Sequence, residues 1–310
     1  MTGRHKSSTV PILLRLIWNH PANRGRRIAS IAKAVGWQFY KRTVKRPFNL
    51  NVYPNIVLRA YPDSEEVGRA IYFRGLPDYS EMIFMKRYLR AGDRFVDGGA
   101  HVGMYTLFAS YLVGAGGAVD AFEPAPLEAE RLLENIALNQ LGNVRVHQAA
   151  LGDRPGLVSF TTHRGAGNRI QRKDDLRQPG RTVRMTTLDE ALTGAYTMGK
   201  LDLEGAELLA LSGADEHLAS KNPPVWMIEL VDRFLRRFGG SALEVVERLT
   251  KRGYELATFD VDRNVLQVGV PQLLGTRPNF LAVDTSGLDA IEARLAASIE
   301  TPTFSGRRTF

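Results

Sequence analysis

Arg94-Phe95-Val96-Asp97-Gly98-Gly99-Ala100-His101-Val102-Gly103-Met104-Tyr105-Thr106 opens with an apolar run that ends in a carboxylate, turns through glycines and enters a helical pattern. Val102, Tyr105, Leu107, Phe108 and Ala109 carry that pattern. A second apolar run, Ala118-Val119-Asp120-Ala121-Phe122, ends in Glu123-Pro124, and Glu123 lies 26 residues after Asp97. Gly98 and Gly99 let the chain leave a strand and approach a ligand with no Cβ in the way, and Gly103 lets the first helix pack against the sheet.

A glycine-rich strand-to-helix turn also serves dinucleotides. Asp97 tilts the choice, because a pyrophosphate site gains little from a carboxylate at the end of its first strand. S-adenosylmethionine (SAM), a nucleoside with an ammonium and a sulfonium, does gain: Asp97 can orient it through charge-assisted bonds. The turn backbone would approach the methionine moiety, and Glu123 would accept the ribose hydroxyls. The expected donor site comprises Asp97, Gly99, Ala100, His101, Gly103, Tyr105, Thr106, Glu123, Pro124 and Asp153. Asp97 also reads as a turn aspartate bonding its own backbone, and Glu123 as a solvent-facing strand end. Asp153 either meets the adenine amine or belongs to an ordinary turn, Gly152-Asp153-Arg154-Pro155-Gly156.

The chain has 310 residues, room for one large domain with a sizeable extension. Cysteine is absent, which excludes a disulfide framework, a thiolate metal site and a thiol nucleophile. No apolar run reaches the ~18 residues of a membrane-spanning helix, and a cytoplasmic location is expected, with peripheral attachment at the inner membrane surface as an option. Val10–Trp18 is apolar after a basic start, but Arg15 interrupts it and no small-residue cleavage site follows. The formal charge of +8 is unevenly placed. Residues 1–62 hold twelve Lys/Arg and no Asp or Glu; subtracting from 41 and 33 leaves 29 basic against 33 acidic residues beyond, a net of −4. A polybasic segment carrying Trp18, Trp37, Phe39 and Tyr40 suits an anionic lipid surface, another anionic partner or a solvated arm.

Three segments are expected: a basic extension of helices and short strands over 1–78, a catalytic domain over 79–300, and a frayed tail over 301–310. Helices are expected at 12–18 and 26–42, and short strands over 50–75. A helix at 80–90 leads into alternating strands and helices, the mark of a parallel sheet covered on both faces. Strands are expected at 94–97, 117–122, 143–150, 198–203, 224–230, 253–260, 265–270 and 279–283, with an extra one at 157–162. The polar stretch His163–Arg181 reads as a loop or lid. Thr187-Leu188-Asp189-Glu190 and Ser241-Ala242-Leu243-Glu244 have capping-box spacing and mark helix starts.

Four blocks resemble the FkbM-type family of SAM-dependent methyltransferases: Val96–Leu107; Ala121-Phe122-Glu123-Pro124 with Leu132, Asn135 and Asn139; Thr187-Leu188-Asp189; and Lys200-Leu201-Asp202-Leu203-Glu204-Gly205-Ala206-Glu207. The last block is the specific one. The resemblance implies a class I, Rossmann-like α/β fold, a doubly wound, mostly parallel sheet of seven strands. It also implies O-methylation of a hydroxyl on a sugar, glycolipid or polyketide-like molecule. The family usually reads Asp-Val-Gly-Ala-Asn where this chain has Asp-Gly-Gly-Ala-His. His101 then either tolerates a left-handed backbone, bonds the SAM carboxylate or acts as a base.

A hydroxyl acceptor must lose its proton, which calls for a general base or a divalent metal that acidifies it. Ligands of doubly wound sheets sit at the carboxyl ends of the strands. If the fourth strand persists to 204, Asp202 and Glu204 point the same way, as a base pair or a hard-metal site. Glu204 or Glu207 alternatively caps the following helix, and Glu229 faces the acceptor or forms a structural ion pair. The catalytic candidates are Asp202, Glu204 and His101. Rival readings are an RNA or other nucleic-acid methyltransferase, made unattractive by the lack of an aromatic-basic RNA signature, and a nicotinamide-dependent oxidoreductase, for which a clean Gly-x-Gly-x-x-Gly turn is missing.

Overall fold

The computed structural model describes residues 9–161, 167–171 and 180–297. The expected tail, His163 and most of the expected lid lie outside the described residues. The chain divides into two compact units, Met1–Tyr79 and Ser80–Phe310.

The first unit contains helices α1 (Thr9–Asn19) and α2 (Arg27–Thr43), strands β1 (Phe48–Tyr53) and β2 (Ile56–Ala60), and helix α3 (Glu65–Tyr72). β1 and β2 form an antiparallel hairpin around Pro54-Asn55, where Asn55 takes the left-handed backbone such a tight turn needs. Strand character was expected to continue to 75, but Glu65–Tyr72 is helical. Glu65 and Glu66 occupy its first turn, where carboxylates are favoured, and Val67 and Ala70 are buried at helical spacing. Asn23 ties the unit together from its core, donating to the carbonyls of Ile17 at 2.8 Å and Tyr72 at 2.9 Å and accepting from Ser30.

The second unit runs α4 (Tyr79–Tyr88), β3 (Arg94–Gly98), α5 (Met104–Val113), β4 (Ala118–Phe122), α6 (Pro126–Leu138), β5 (Val144–His147), β6 (Ala149–Leu151), β7 (Gly156–Thr161) and β8 (Gly180–Thr186). It continues with α7 (Leu188–Ala191), β9 (Met198–Leu201), α8 (Glu207–Ser212), α9 (Asp215–Ala219), β10 (Val225–Glu229) and α10 (Asp232–Leu235). α11 (Ala242–Lys251), β11 (Tyr254–Asp260), β12 (Val265–Val268), β13 (Asn279–Asp284) and α12 (Leu288–Ala296) complete it. Strands order as β12-β11-β13-β10-β9-β3-β4-β5. The five from β5 to β10 are parallel and the rest antiparallel.

This is the expected Rossmann-like sheet of seven strands with an eighth, β12, folded back antiparallel on β11 at the edge. Central strands are apolar on both faces because helices cover both. Val96, Phe122, Leu201, Trp226, Ile228 and Phe280 form the heart of the buried core. The Trp226 ring fits over Gly199, where a Cβ would come within 2.4 Å of it.

The structure departs from the expected elements after β4. The single strand expected at 143–150 breaks at Gln148: its first half pairs with β4, and its second half leaves to join a separate sheet ordered β6-β8-β7. Arg181 belongs to strand β8, not to a loop, and β8 pairs with β7 from Gly180 to Met185. Alternation in Gly180–Thr186 is weak because its outer residues are exposed, and the strand is held by its two neighbours.

Candidate functional site

Register puts the site residues side by side. Asp97 on β3 lies opposite Lys200 on β9 and Ala121 on β4, so the carboxyl ends of these strands share one edge with that of β10. Asp97 is fully buried. Its Oδ2 accepts from Thr106 Oγ1 at 2.6 Å, and its Oδ1 lies 4.0 Å from Lys200 Nζ. Burial pushes the Asp97 carboxyl above its ordinary range, opposed by Lys200 and the Thr106 bond. Lys200, also buried, reaches Asp202 Oδ2 at 3.2 Å and lies 4.8 Å from the centre of the Tyr105 ring.

The turn between β3 and α5 is built from residues with positive φ. Gly99 has φ +81°, and a Cβ there would meet the Asp202 carbonyl oxygen at 2.0 Å, so no other residue fits. Gly103, with φ +98°, precedes α5. His101 has φ +50°, the left-handed backbone that was one of the three readings weighed for it. Its N–H donates to Glu123 Oε2 at 2.8 Å, and Ala125 N–H donates to Oε1 at 2.8 Å. Glu123 therefore clamps the turn to the end of β4, with Pro124 following it in the chain before Ala125. It is buried, and burial raises its carboxyl to about 8. Ala100 N–H completes the turn by donating to the Phe122 carbonyl at 2.9 Å.

Beside this turn lies a second group of carboxylates. Oxygens of Asp202, Glu204 and Glu229 all fall within 4.8 Å of one another. The pairing of Asp202 with Glu204 was expected from strand alternation, and that reason is wrong. β9 ends at Leu201, and Glu204 sits in a turn with φ +55°. The turn, not a shared strand face, brings the two together. Burial, then the Asp202 charge, raises Glu204 to about 7, against the pull of Arg237, Arg169 and Arg233. Glu229 is pushed well up by burial and by Asp202, Glu207 and Glu204.

Glu207 is 1% exposed. Its Oε1 accepts from the N–H groups of Leu203 at 2.7 Å and Gly205 at 3.3 Å, which pins the turn ahead of α8 and is not the helix cap weighed for it above, while Oε2 has no hydrogen-bond partner among the described residues. Asp153 stands apart on an exposed turn, 3.8 Å from Arg154.

Lys200 is the residue the sequence reading left without a role. Its signal was present: a lysine inside the apolar strand Met198-Gly199-Lys200-Leu201, where charges are rarely buried unless paired. Two other histidines have carboxylate partners within the fold, His147 with Asp120 and His217 with Asp189, each at 2.8 Å. The Thr187-Leu188-Asp189 block is likewise structural in its contacts. Thr187 Oγ1 accepts from Glu190 N–H, and Asp189 accepts from the first N–H groups of α9.

A curated relative, the 31-O-demethyl-FK506 methyltransferase FkbM of Streptomyces tacrolimicus, is 34% identical over 127 residues, covering 39% of this chain and 44% of the relative. The matched part is thus less than half of that protein's length. Among solved structures, the methyltransferase FkbM of Methylobacillus flagellatus KT shares 15% identity at a TM-score of 0.40, covering 82% of this chain and 59% of that one. A putative rRNA methylase of Clostridium thermocellum shares 12% at 0.40, covering 66% and 92%. Residues 97–256, just over half of the chain and containing both carboxylate groups, match the family model of the methyltransferase FkbM domain. The chain belongs to the methyltransferase FkbM family.

Proposed function

We propose that the enzyme transfers the methyl group of SAM to a hydroxyl of a small molecule, a sugar, glycolipid or polyketide-like acceptor. The observation that carries this reading is the Asp202, Glu204, Glu229 cluster at the same sheet edge as Asp97 and Glu123. An O-methyl acceptor has a proton to lose, and the cluster provides oxygens to take it. The curated relative is named for an O-demethyl substrate, which supports oxygen as the acceptor atom.

In this reading Glu123 holds the ribose hydroxyls. Asp97 faces the positive methionine end, and Gly99, Ala100, His101, Gly103, Tyr105, Thr106 and Pro124 shape the surrounding turn. Asp153 is the weakest member of the set, given its exposed position. The acceptor oxygen attacks the methyl carbon opposite sulfur, the C–S bond breaks, S-adenosylhomocysteine leaves, and the hydroxyl proton passes to Asp202. Glu204 and Glu229 hold or share protons beside it. Positioning of two bound reactants can supply ~7–11 kcal/mol of the barrier reduction.

The experiment pairs Asp202→Asn with Glu123→Ala, using calorimetric SAM binding and S-adenosylhomocysteine release in the presence of source-cell extract. Asp202→Asn should lower turnover roughly 10²–10⁴-fold with SAM affinity unchanged, and Glu123→Ala should weaken SAM binding. Full turnover in Asp202→Asn would refute the base, and unchanged SAM binding in Glu123→Ala would refute the donor site. Labelled RNA as the methylated product would reassign the acceptor.

A second reading has one observation in its favour. Three carboxylates with mutually close oxygens are the donor set of a hard divalent cation. Asp202, Glu204 and Glu229 would hold it, and it would acidify the acceptor hydroxyl. Turnover abolished by EDTA and restored by Mg²⁺ selects this reading over the carboxylate base alone.

A further inference from the structure

Helix α2 carries two faces. Ser30, Ala34 and Trp37 are buried. On the opposite side Ile28, Ala32, Val35 and Phe39 recur at steps of four, three and four residues, which aligns them on one stripe. That stripe is open to solvent: Ile28 is 78% exposed, Val35 60% and Phe39 68%. A side chain at Gly36, next to the stripe, would meet nothing within 4 Å. α1 adds exposed Ile12 and Leu16, one helical turn apart. A helix normally turns such a stripe to the core, so this one is dressed for a partner.

The charges around it identify the partner's chemistry. Arg26 and Arg27 stand at the N-terminal end of α2, and Lys41, Arg42, Lys45 and Arg46 at its C-terminal end. The first 62 residues contain no carboxylate side chain. A second copy of the chain would bring twelve positive residues against twelve, so self-association through this face is opposed by charge. RNA would satisfy the charges but leave Ile28 and Val35 without a use.

We infer that the outer face of α2 docks on an anionic lipid surface, the aliphatic and aromatic stripe entering the headgroup region while the flanking Lys and Arg residues meet lipid phosphates. The stripe is ~16 Å long at the helical rise, which suits a helix lying in the interface plane, not one crossing it. No helix among the described residues is long and apolar enough to span a bilayer. Such helices bind by apolar burial together with attraction to anionic lipid.

The test is flotation of the full chain with phosphatidylcholine vesicles, with and without phosphatidylglycerol. Expected is co-flotation with the anionic vesicles only, weakening as salt rises. The double variant Val35→Glu with Phe39→Glu should bind at least about tenfold more weakly. Both positions are exposed, so the circular dichroism and melting curve of the variant should match the parent. Replacing Lys41, Arg42, Lys45 and Arg46 by Gln should weaken binding as well. Undiminished flotation of the Glu variant would overturn the docking face and leave headgroup attraction alone. A dimer dissolved by the Glu variant, or RNA binding with no vesicle binding, would equally overturn it.

Discussion

Lys200 holds three groups in place at once: the buried Asp97, the half-open Asp202 and the face of Tyr105. Removing one member of a buried ion pair leaves an uncompensated charge, which typically costs 3–5 kcal/mol, more than the pair itself contributes. Lys200→Met should therefore lower unfolding free energy by roughly that amount in urea titrations. Adding Asp97→Asn should recover a large part of it, because the stranded charge goes with it. Additive losses in the double variant would show that the two side chains do not act as a pair. Gly99 and His101 illustrate the other force at this scale. Their backbones are held at positive φ, and the tight approach of Gly99 to the Asp202 carbonyl admits no side chain.

At the scale of elements, caps decide where helices begin. Ser241 Oγ accepts from Glu244 N–H at 3.2 Å and donates to Glu244 Oε2 at 2.9 Å, the local pairing that its spacing predicts. α11 then buries Ala242, Val245 and Leu249. Ser241→Ala should cost ~1 kcal/mol, read as a lower urea midpoint with an unchanged slope; no change would show that packing alone sets the start. Local signals of this kind were legible. The strand, glycine turn and helix over 94–113, the close of β4 at Glu123 and both capping boxes follow from periodicity and side-chain chemistry within a few residues. The sheet β6-β8-β7 was not legible as such. β6 is three residues long and pairs with a strand more than thirty residues away, and nothing local at Gln148 announces the change of sheet. Glu204 escaped for a related reason, since alternation was extended past the point where the backbone had already turned.

Taken over the whole molecule, stability is tied to pH through buried acids. Burial raises Glu123 from 4.5 to about 8, so between those values the native state keeps a proton that the unfolded chain releases. Stability associated with this group is complete below the unfolded value and is lost as pH rises through the native one. One pKa unit corresponds to ~1.4 kcal/mol, so the effect is on the order of a few kcal/mol. Glu123→Gln cannot titrate, and the stability difference between parent and variant should shrink or reverse from pH 5 to pH 8 in thermal melts. Parallel curves would show that Glu123 keeps an ordinary pKa. Charge distribution works at the same scale: the excess positive charge sits in the first unit, and the second unit carries a slight negative excess.

The sequence by itself determined the class of the fold, the succession of its central strands and helices, the glycine turn after β3 and the concentration of positive charge in the first 62 residues. Those properties depend on periodicity, glycine conformations, strand-end carboxylates and charge counts, which neighbours in the chain establish. The tertiary structure decided which carboxylates meet. Asp97 and Lys200 are 103 positions apart and become partners through strand register; Glu229 joins Asp202 only because β10 lies beside β9. It also decided that the stripe on α2 stays open while Trp37 is buried. Burial and desolvation belong to the assembled core, and they raise the carboxyls of Asp97, Glu123, Glu204 and Glu229.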